Sequence, residues 1–384
     1  MHILMAAGVP KRREGGAAAI LHNLARELES TGHRVSCLFL EDLGDFRGVP
    51  QRFVDVVFAW RLARYIGKNG GKFSVVNIHA PWGFAYGYLR RMSLQNDLPP
   101  YVMTLQAAEE RYAHAMRGEA RKGRAPYFRW KNRVWHKVYH LACYHRSILS
   151  ADYSMVANRE GAAFLQLHHH LDADRVWYIP NGVDAVFFQT RRYDTPPRRL
   201  LFVGTWLERK GNHYLVEAFE RLASRFPDLR LTVAGCLVDE GTVRRSFPTA
   251  LQPRVAVVPF VPAAEMPGVY AEHDLFVFPS LVEGMPLCLL EAMASGMPLV
   301  TTDTCGMADV VEDGRNGLLV KPADAASFAE SVARLIDCRE LRERLGRAAQ
   351  ESMRLYTWDR IASRVEKVFC AAAGDGKRRS PMEA

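Results

Sequence analysis

The sequence lacks any apolar run approaching the ~20 residues that a bilayer span needs. Its opening stretch, "HILMAAG", is too short for a signal-peptide core and has no basic region before it, so it reads as the first β-strand of a cytosolic protein. There is no CxxC pair. The seven cysteines (Cys37, Cys143, Cys236, Cys288, Cys305, Cys338, Cys370) are scattered through apolar runs, which suits reduced thiols and not disulfides or a zinc site. No GxSxG, Walker or HExxH pattern occurs, which sets aside the chemistries those motifs carry. Repeats and low-complexity tracts are missing too. Acid is the scarcer charge, with 42 Asp and Glu against 51 Lys and Arg, a net +9. From Arg111 to Arg146 ten Lys and Arg stand against one acid, Glu119, so this segment's surplus alone matches the net charge. A negatively charged partner is implied.

What is present suffices for two cores. The 384 residues are 48% hydrophobic and 24% charged, the profile of two folded domains. "HILMAAG", "RVSCLFLE", "FSVVNIHA", "YVMTLQ", "ADYSMVAN" and "RVWYIPNG" read as strands, and Leu21, Leu24, Ala25 and Leu28 recur at helical spacing before Gly32. The rhythm restarts with "RRLLFVG", a helix carrying Leu215, Val216, Phe219 and Leu222, and then "LRLTVAGC", "RVAVVPFV", "HDLFVFPS" and "PLVTT". This βαβ alternation predicts an α/β architecture of two Rossmann-like domains, 1–188 and 200–355, joined by a polar, proline-bearing linker at 189–199. A last helix within 356–372 is expected to return to the first domain, with a flexible tail over 373–384. Ligands of open parallel sheets bind beyond the carboxyl ends of the strands, so two such domains predict a central cleft.

The segment "LVEGMPLCLLEAMASGMPLV" (281–300) is almost wholly apolar, yet it keeps two carboxylates, Glu283 and Glu291. Burying an unpaired carboxylate costs on the order of several kcal/mol, so something polar must face each of them. Pro286 suits the first position of a helix that Gly296 would end. Glu291 then lies roughly 7.5 Å along the axis from Pro286. Gly284 lets the loop backbone come close to a ligand, and the helix start is an anion site. One carboxylate for each of two hydroxyl-rich rings, with phosphate between them, accounts for the pair, and a nucleotide-sugar has that order. In "FVGTWLERKG" (202–211) Lys210 stands at a helix start, an electrostatically poor place for a solvated lysine but a good one for neutralising a diphosphate leaving group.

The E-G-x-P-x-x-x-x-E spacing between strand and helix resembles the signature of the family-4 retaining glycosyltransferases of GT-B fold. The resemblance covers nearly the whole chain and is strongest over 200–320; "IPNGVD" (179–184), Gly306 and the "DGRNG" turn fit it, and Asp309 stands where the family has glutamate. It implies that Glu291 holds the nucleotide ribose and Glu283 the donor hexose. The chain at Gly284, Met285, Pro286 and Leu287 would contact sugar or phosphates. After Gly204 the family has arginine. Here Thr205 stands instead, and Arg209 beside Lys210 is expected to compensate. Gly15 and Gly16 open the first helix, where the family's double glycine lets backbone approach the donor phosphates or the acceptor. The family's strand-end histidine is replaced by Gln106, which hydrogen-bonds a hydroxyl but moves no proton near neutrality. Gln106, His79 and Glu109 are the acceptor-side candidates, with a structural role as the plainer reading of His79. Asn181 is read as structural.

The resulting expectation is a GT-B enzyme that moves a sugar from a nucleotide-sugar to a hydroxyl of a glycan or glycolipid in cell-envelope or polysaccharide synthesis, with Lys210, Glu283 and Gln106 as catalytic candidates. No cofactor and no metal are expected: Asp172-Ala173-Asp174 reads as a turn, and neighbours such as His168, His169 and His170 cannot all face one ion. The basic, aromatic segment 111–146 suits an anionic acceptor or the inner face of a membrane, and no nucleic-acid module is recognised. Two other readings stay open. One is a non-catalytic GT-B nucleotide-binding or membrane-scaffold protein, the other a GT-B nucleotide-sugar epimerase.

Overall fold

The computed structural model describes residues 1–12, 16–92, 98–107, 109–125 and 141–379. Among these the chain forms two six-stranded sheets in which every pairing is parallel. The first contains β1 (His2–Ala6), β2 (Arg34–Leu38), β3 (Val75–His79), β4 (Tyr101–Leu105), β5 (Tyr153–Val156) and β6 (Val176–Tyr178), in the order β2-β1-β3-β4-β5-β6. Along this half run α1 (Gly16–Ser30), α2 (Val54–Asn69), α3 (Phe84–Met92), α4 (Glu109–Arg121), α5 (Leu141–Ser150) and α6 (Arg159–His169). The second sheet contains β7 (Arg199–Val203), β8 (Arg230–Ala234), β9 (Val255–Val258), β10 (Leu275–Phe278), β11 (Leu299–Thr302) and β12 (Leu318–Val320), in the order β12-β11-β10-β7-β8-β9. Its helices are α7 (Asn212–Arg225), α8 (Glu240–Arg244), α9 (Met266–Glu272), α10 (Leu287–Ala294), α11 (Cys305–Val310), α12 (Ala325–Asp337) and α13 (Arg339–Met353), followed by α14 (Trp358–Arg379).

Strands covered on both faces should be apolar throughout, and they are. Every residue of β3, β4, β10 and β11 is buried. The helices then turn one stripe inward. Leu21, Leu24 and Leu28 of α1 are buried, and Gly32, at φ +87°, takes the left-handed turn beyond the helix end. In the first sheet the strand order reverses direction between β1 and β3, and in the second between β7 and β10. Such switch points leave a crevice beyond the strand ends, and this is what positions the site described below.

The chain divides into two compact units: Met1–Glu109, Arg129–Asn181 and Trp358–Ala384 form one, and Glu110–Phe128 with Gly182–Thr357 the other. The division at Asn181 falls ahead of the 189–199 stretch read as a linker. That stretch is bound into the second unit. The Arg191 guanidinium donates to the carbonyls of Tyr270 (2.5 Å), His273 (2.6 Å) and Ser295 (3.0 Å), satisfying the otherwise open carbonyl ends of α9 and α10. Tyr193 Oη donates to Gly296 O at 2.8 Å, and Gln350 Nε2 to Gln189 O at 2.7 Å. Segment 110–125 is the other departure. Tyr214 Oη of α7 donates to Glu119 at 2.7 Å and accepts from Lys122 at 2.7 Å, which holds this piece of the first half on the second unit. α14 lies with the first unit, where Glu366 meets His33 Nε2 at 2.8 Å, and its helical backbone runs on to Arg379, past the Ala373 end expected from the polar composition.

Candidate active site

β7 and β10 are neighbours at the switch point, so the turns that leave their carboxyl ends meet. The turn after β7 passes through Gly204 (φ +146°) to Lys210, and Gly211 follows at φ +73°. A Cβ on Gly211 would lie 1.9 Å from Pro279 O, so only glycine lets the two turns close. They are zipped by Leu281 N donating to Arg209 O at 2.8 Å, and Ser280 Oγ lies 3.0 Å from the same carbonyl.

This brings a cation pair onto one carboxylate. Lys210 Nζ lies 2.8 Å and Arg209 Nη1 2.7 Å from Glu283 Oε1, and Ser280 Oγ is within 3.1 Å of that oxygen. Lys210 and Glu283 are each 8% exposed, and Lys210 Nζ also stands 5.0 Å over the Phe278 ring. Burial pushes the Glu283 carboxyl up, but the charges of Lys210 and Arg209 and the bonds from Lys210 and Ser280 outweigh it and hold the group below its usual range. Glu283 is therefore ionised. Two cations against one carboxylate leave a net positive charge at the mouth of this turn, the sign a diphosphate needs. Among the described residues nothing hydrogen-bonds Glu283 Oε2, which is left to accept from a ligand.

Glu291 has a different environment. It lies on α10, and its Oε2 accepts from Tyr270 Oη at 2.7 Å. Tyr270 is fully buried, with its ring edge-on to Phe187 at 5.7 Å. Burial raises the Glu291 carboxyl from 4.5 to about 7, against the Tyr270 hydrogen bond that favours the charged form. Each glutamate is thus anchored by one oxygen and presents the other. The loop between them is fixed from below: a Cβ on Gly306 would fall 2.0 Å from Gly284 O, so α11 packs tightly beneath Gly284 and Met285. Met285 is 3% exposed and Pro286 is also buried, so their contribution is through backbone, whereas Leu287 is half-buried. Thr205 sits at the start of the β7 turn with its Oγ1 buried and, among the described residues, unpartnered.

The second unit therefore gathers Gly204, Thr205, Arg209, Lys210, Glu283, Gly284, Met285, Pro286, Leu287 and Glu291 around one switch point. The remaining candidates lie in the first unit or outside the described residues. Gln106, just past β4, accepts from Asn181 Nδ2 (3.1 Å) through its side-chain oxygen and from Asn158 Nδ2 (3.1 Å) through its carbonyl, so Asn181 orients it. His79 ends β3 at only 3% exposure. Among the described residues its Nε2 has no partner, and burial lowers its pKa to about 4, so the ring is neutral at pH 7. Among the described residues nothing lies within 4 Å of where a Cβ on Gly16 would be. Gly15 lies outside the described residues, as do the side chain of Glu109 and residues 126–140 of the basic segment. Sequence reasoning missed Tyr270 and Ser280. Ser280 left a signal, a lone hydroxyl inside "LFVFPSLV" that is fully buried. Tyr270 left none, since its contact with Glu291 spans 21 residues.

Two parallel Rossmann-like sheets with a lysine and a glutamate pair at the second switch point define an α/β protein of GT-B fold. Residues 184–352 match the family described as Glycosyl transferases group 1 and residues 14–187 the Glycosyltransferase Family 4. The chain belongs to this family of glycosyltransferases. It is 35% identical over 234 residues to the D-inositol 3-phosphate glycosyltransferase of Pseudarthrobacter chlorophenolicus, covering 57% of this chain and 56% of that one. It is 31% identical over 210 residues to the phosphatidyl-myo-inositol mannosyltransferase of Mycobacterium tuberculosis, covering 52% and 55%. The matched stretch is thus little more than half the length of these curated relatives. In structure it is similar to sucrose-phosphate synthase from Thermosynechococcus elongatus (TM-score 0.77, 19% identity, 97% of this chain and 99% of that one). It is also similar to Anabaena Alr3699/HepE in complex with UDP (TM-score 0.70, 15% identity, 97% and 100%). Identities this low speak to the fold alone.

Proposed function

We propose that this protein transfers a hexose from a nucleoside-diphosphate sugar to a hydroxyl of a glycan or glycolipid, with retention of anomeric configuration. The observation that carries the reading is the convergence of Lys210, Arg209 and Ser280 on one oxygen of Glu283, with Glu291 held by a single oxygen nearby in the chain. That set offers cations to a diphosphate and two free carboxylate oxygens to sugar hydroxyls. Glu291 receives the ribose and Glu283 the hexose. Relatives named as inositol-phosphate glycosyltransferases and a structural neighbour holding UDP support a uridine or related nucleotide and a polar, phosphate-bearing acceptor.

In the transfer the bond from the anomeric carbon to the β-phosphate oxygen breaks as Lys210 and Arg209 stabilise the departing diphosphate. The acceptor hydroxyl bonds to the same carbon from the same face. Its proton passes to the leaving phosphate oxygen, because Gln106 cannot take it and His79 is buried. The two side-chain cations supply the charge that a divalent metal supplies elsewhere, so the reaction is read as metal-independent. A cytosolic site of action, in envelope or polysaccharide synthesis, is part of the same proposal.

A thermal-shift screen against UDP-, GDP- and ADP-sugars identifies the donor, and hydrolysis of that donor tests the chemistry. Lys210→Ala should lower turnover by about a hundredfold with a smaller change in donor Kd. Full activity in Lys210→Ala and Glu291→Ala together would remove the site from consideration. Donor binding without any hydrolysis or transfer points to a non-catalytic binder, and conversion of the donor to an isomer points to an epimerase.

A further inference from the structure

The first unit has a surface that donor chemistry does not use. On α2, Trp60, Arg64 and Lys68 are exposed at four-residue spacing and share one stripe. On α3, Tyr88, Arg91 and Met92 are exposed at three- and four-residue spacing and share one stripe too. The stripes join where the Trp60 and Tyr88 rings stack, centroids 6.4 Å apart and planes at 20°. Exposure is high for side chains of this kind: Trp60 51%, Tyr88 38% and Met92 78%. From α5, Arg146 lays its guanidinium 4.6 Å over the Tyr88 ring and donates to Tyr88 Oη at 3.0 Å. α3 and α5 cross close by, since a Cβ on Gly87 would lie 2.2 Å from Ser150 Oγ, and Leu149, beside Ser150, is 59% exposed.

The charge on this face has one sign. α3 and α5 carry no acidic residue. The one acid of α2, Asp55, accepts from Trp82 Nε1 at 2.9 Å. Two further arginines are engaged: Arg61 donates to the Leu43 and Asp45 carbonyls, and Arg90 pairs with Asp152 at 2.7 Å. Arg64, Lys68 and Arg91 have no acidic partner among the described residues. Cations flanking a Trp–Tyr pair and a protruding methionine are the composition that sits at the headgroup level of a bilayer, with rings and thioether in the acyl boundary and cations on phosphate. A single-stranded nucleic acid fits less well, because Trp60 and Arg146 already occupy the Tyr88 ring that a base would stack on.

We infer that the α2–α3 face, built from Trp60, Tyr88 and Met92 with Arg64, Lys68 and Arg91, docks the protein on an anionic phospholipid surface. Among the described residues no helix is long and apolar enough to cross a membrane, so this is contact from one side. The surface differs from the 111–146 segment that composition alone singles out and shares only Arg146 with it.

The test is co-sedimentation of the full chain with vesicles of phosphatidylcholine alone and of phosphatidylcholine mixed with phosphatidylglycerol, at low and physiological salt. The expected result is pelleting with the mixed vesicles that weakens as salt rises. The triple variant Arg64→Gln/Lys68→Gln/Arg91→Gln should bind roughly a hundredfold more weakly, from about a fivefold loss per cation at the surface. Trp60→Ala/Met92→Ser should also bind less, with a loss that persists at high salt. All of these positions are solvent-facing, and unchanged circular dichroism and unchanged donor hydrolysis in solution confirm that fold and active site are intact. A dead donor site with normal vesicle binding would overturn the transfer proposal and leave this one standing. No pelleting of the parent chain with anionic vesicles at low salt overturns the inference, as does equal binding by the triple variant. Binding to single-stranded RNA that outcompetes the vesicles also overturns it.

Discussion

Replacing Glu291 by glutamine separates what the active site needs from what the fold prefers. Glu291 sits half-buried with Tyr270 Oη as its hydrogen-bond partner and, among the described residues, no cation in contact, and its carboxyl is raised from 4.5 to about 7. The sign of the consequence follows from proton binding. Well below 4.5 the folded and unfolded chains both carry the proton. As pH rises towards 7 the folded chain retains a proton that the unfolded chain releases, so stability falls with pH and the loss is complete above about 7. A shift of this size corresponds to at most roughly 3 kcal/mol, and residual solvent exposure brings it to on the order of 2 kcal/mol. Glu291→Gln removes the titration. Denaturant unfolding should therefore find the variant more stable than the parent by about 2 kcal/mol at pH 8, with most of the difference gone at pH 5. Donor binding should move the other way. A carboxylate that accepts from ribose hydroxyls contributes about 1.5–3 kcal/mol, so the variant's donor Kd at pH 8 should rise at least tenfold. The parent's affinity should strengthen from pH 6 to pH 8 as Glu291 ionises. Parallel pH profiles of stability in the two proteins would refute the reasoning, because they would mean that Glu291 is already ionised and solvated.

Three further outcomes follow from the same geometry. Tyr270→Phe keeps the packed ring but removes the donor to Glu291 Oε2; the pH midpoint of donor binding, followed by calorimetry, should move up by about one pH unit, since a bond to the charged form is lost. Arg209→Ala should weaken donor binding roughly tenfold while Lys210 keeps Glu283 ionised, and an unchanged Kd would show that Arg209 does not compensate for Thr205. Gly211→Ala forces a Cβ to within 1.9 Å of Pro279 O at φ +73° and should cost about 3 kcal/mol in unfolding free energy, whereas Gly16→Ala, with nothing among the described residues within 4 Å of its Cβ, should leave stability unchanged.

That Lys210, Arg209 and Glu283 come together could be read because they lie in contiguous, physically unusual segments. Two carboxylates inside an apolar run, and a lysine at a helix start, each need a partner, and the parallel topology brings them to a single switch point. Thr205 and Arg209 occupy one turn, and that turn is closed by Gly211 against Pro279. What sequence could not show is held by contacts between distant elements. Tyr270 belongs to α9 and Glu291 to α10, and nothing in either segment says that the phenol finds the carboxylate. Arg191 falls in the proline-bearing stretch read as a linker, but its guanidinium donates to three carbonyls at helix ends, and this binds 189–199 into the second unit. His79 shows the limit most sharply. A histidine at the end of a parallel strand is equally compatible with a ligand contact and with burial, and only the packing of its neighbours decides. At 3% exposure, with Nε2 unpartnered among the described residues and the ring neutral, it is a buried polar group for which a missing hydrogen bond costs on the order of 1–3 kcal/mol. Diethylpyrocarbonate should therefore modify His79 slowly in the free protein; complete and rapid modification would contradict its burial.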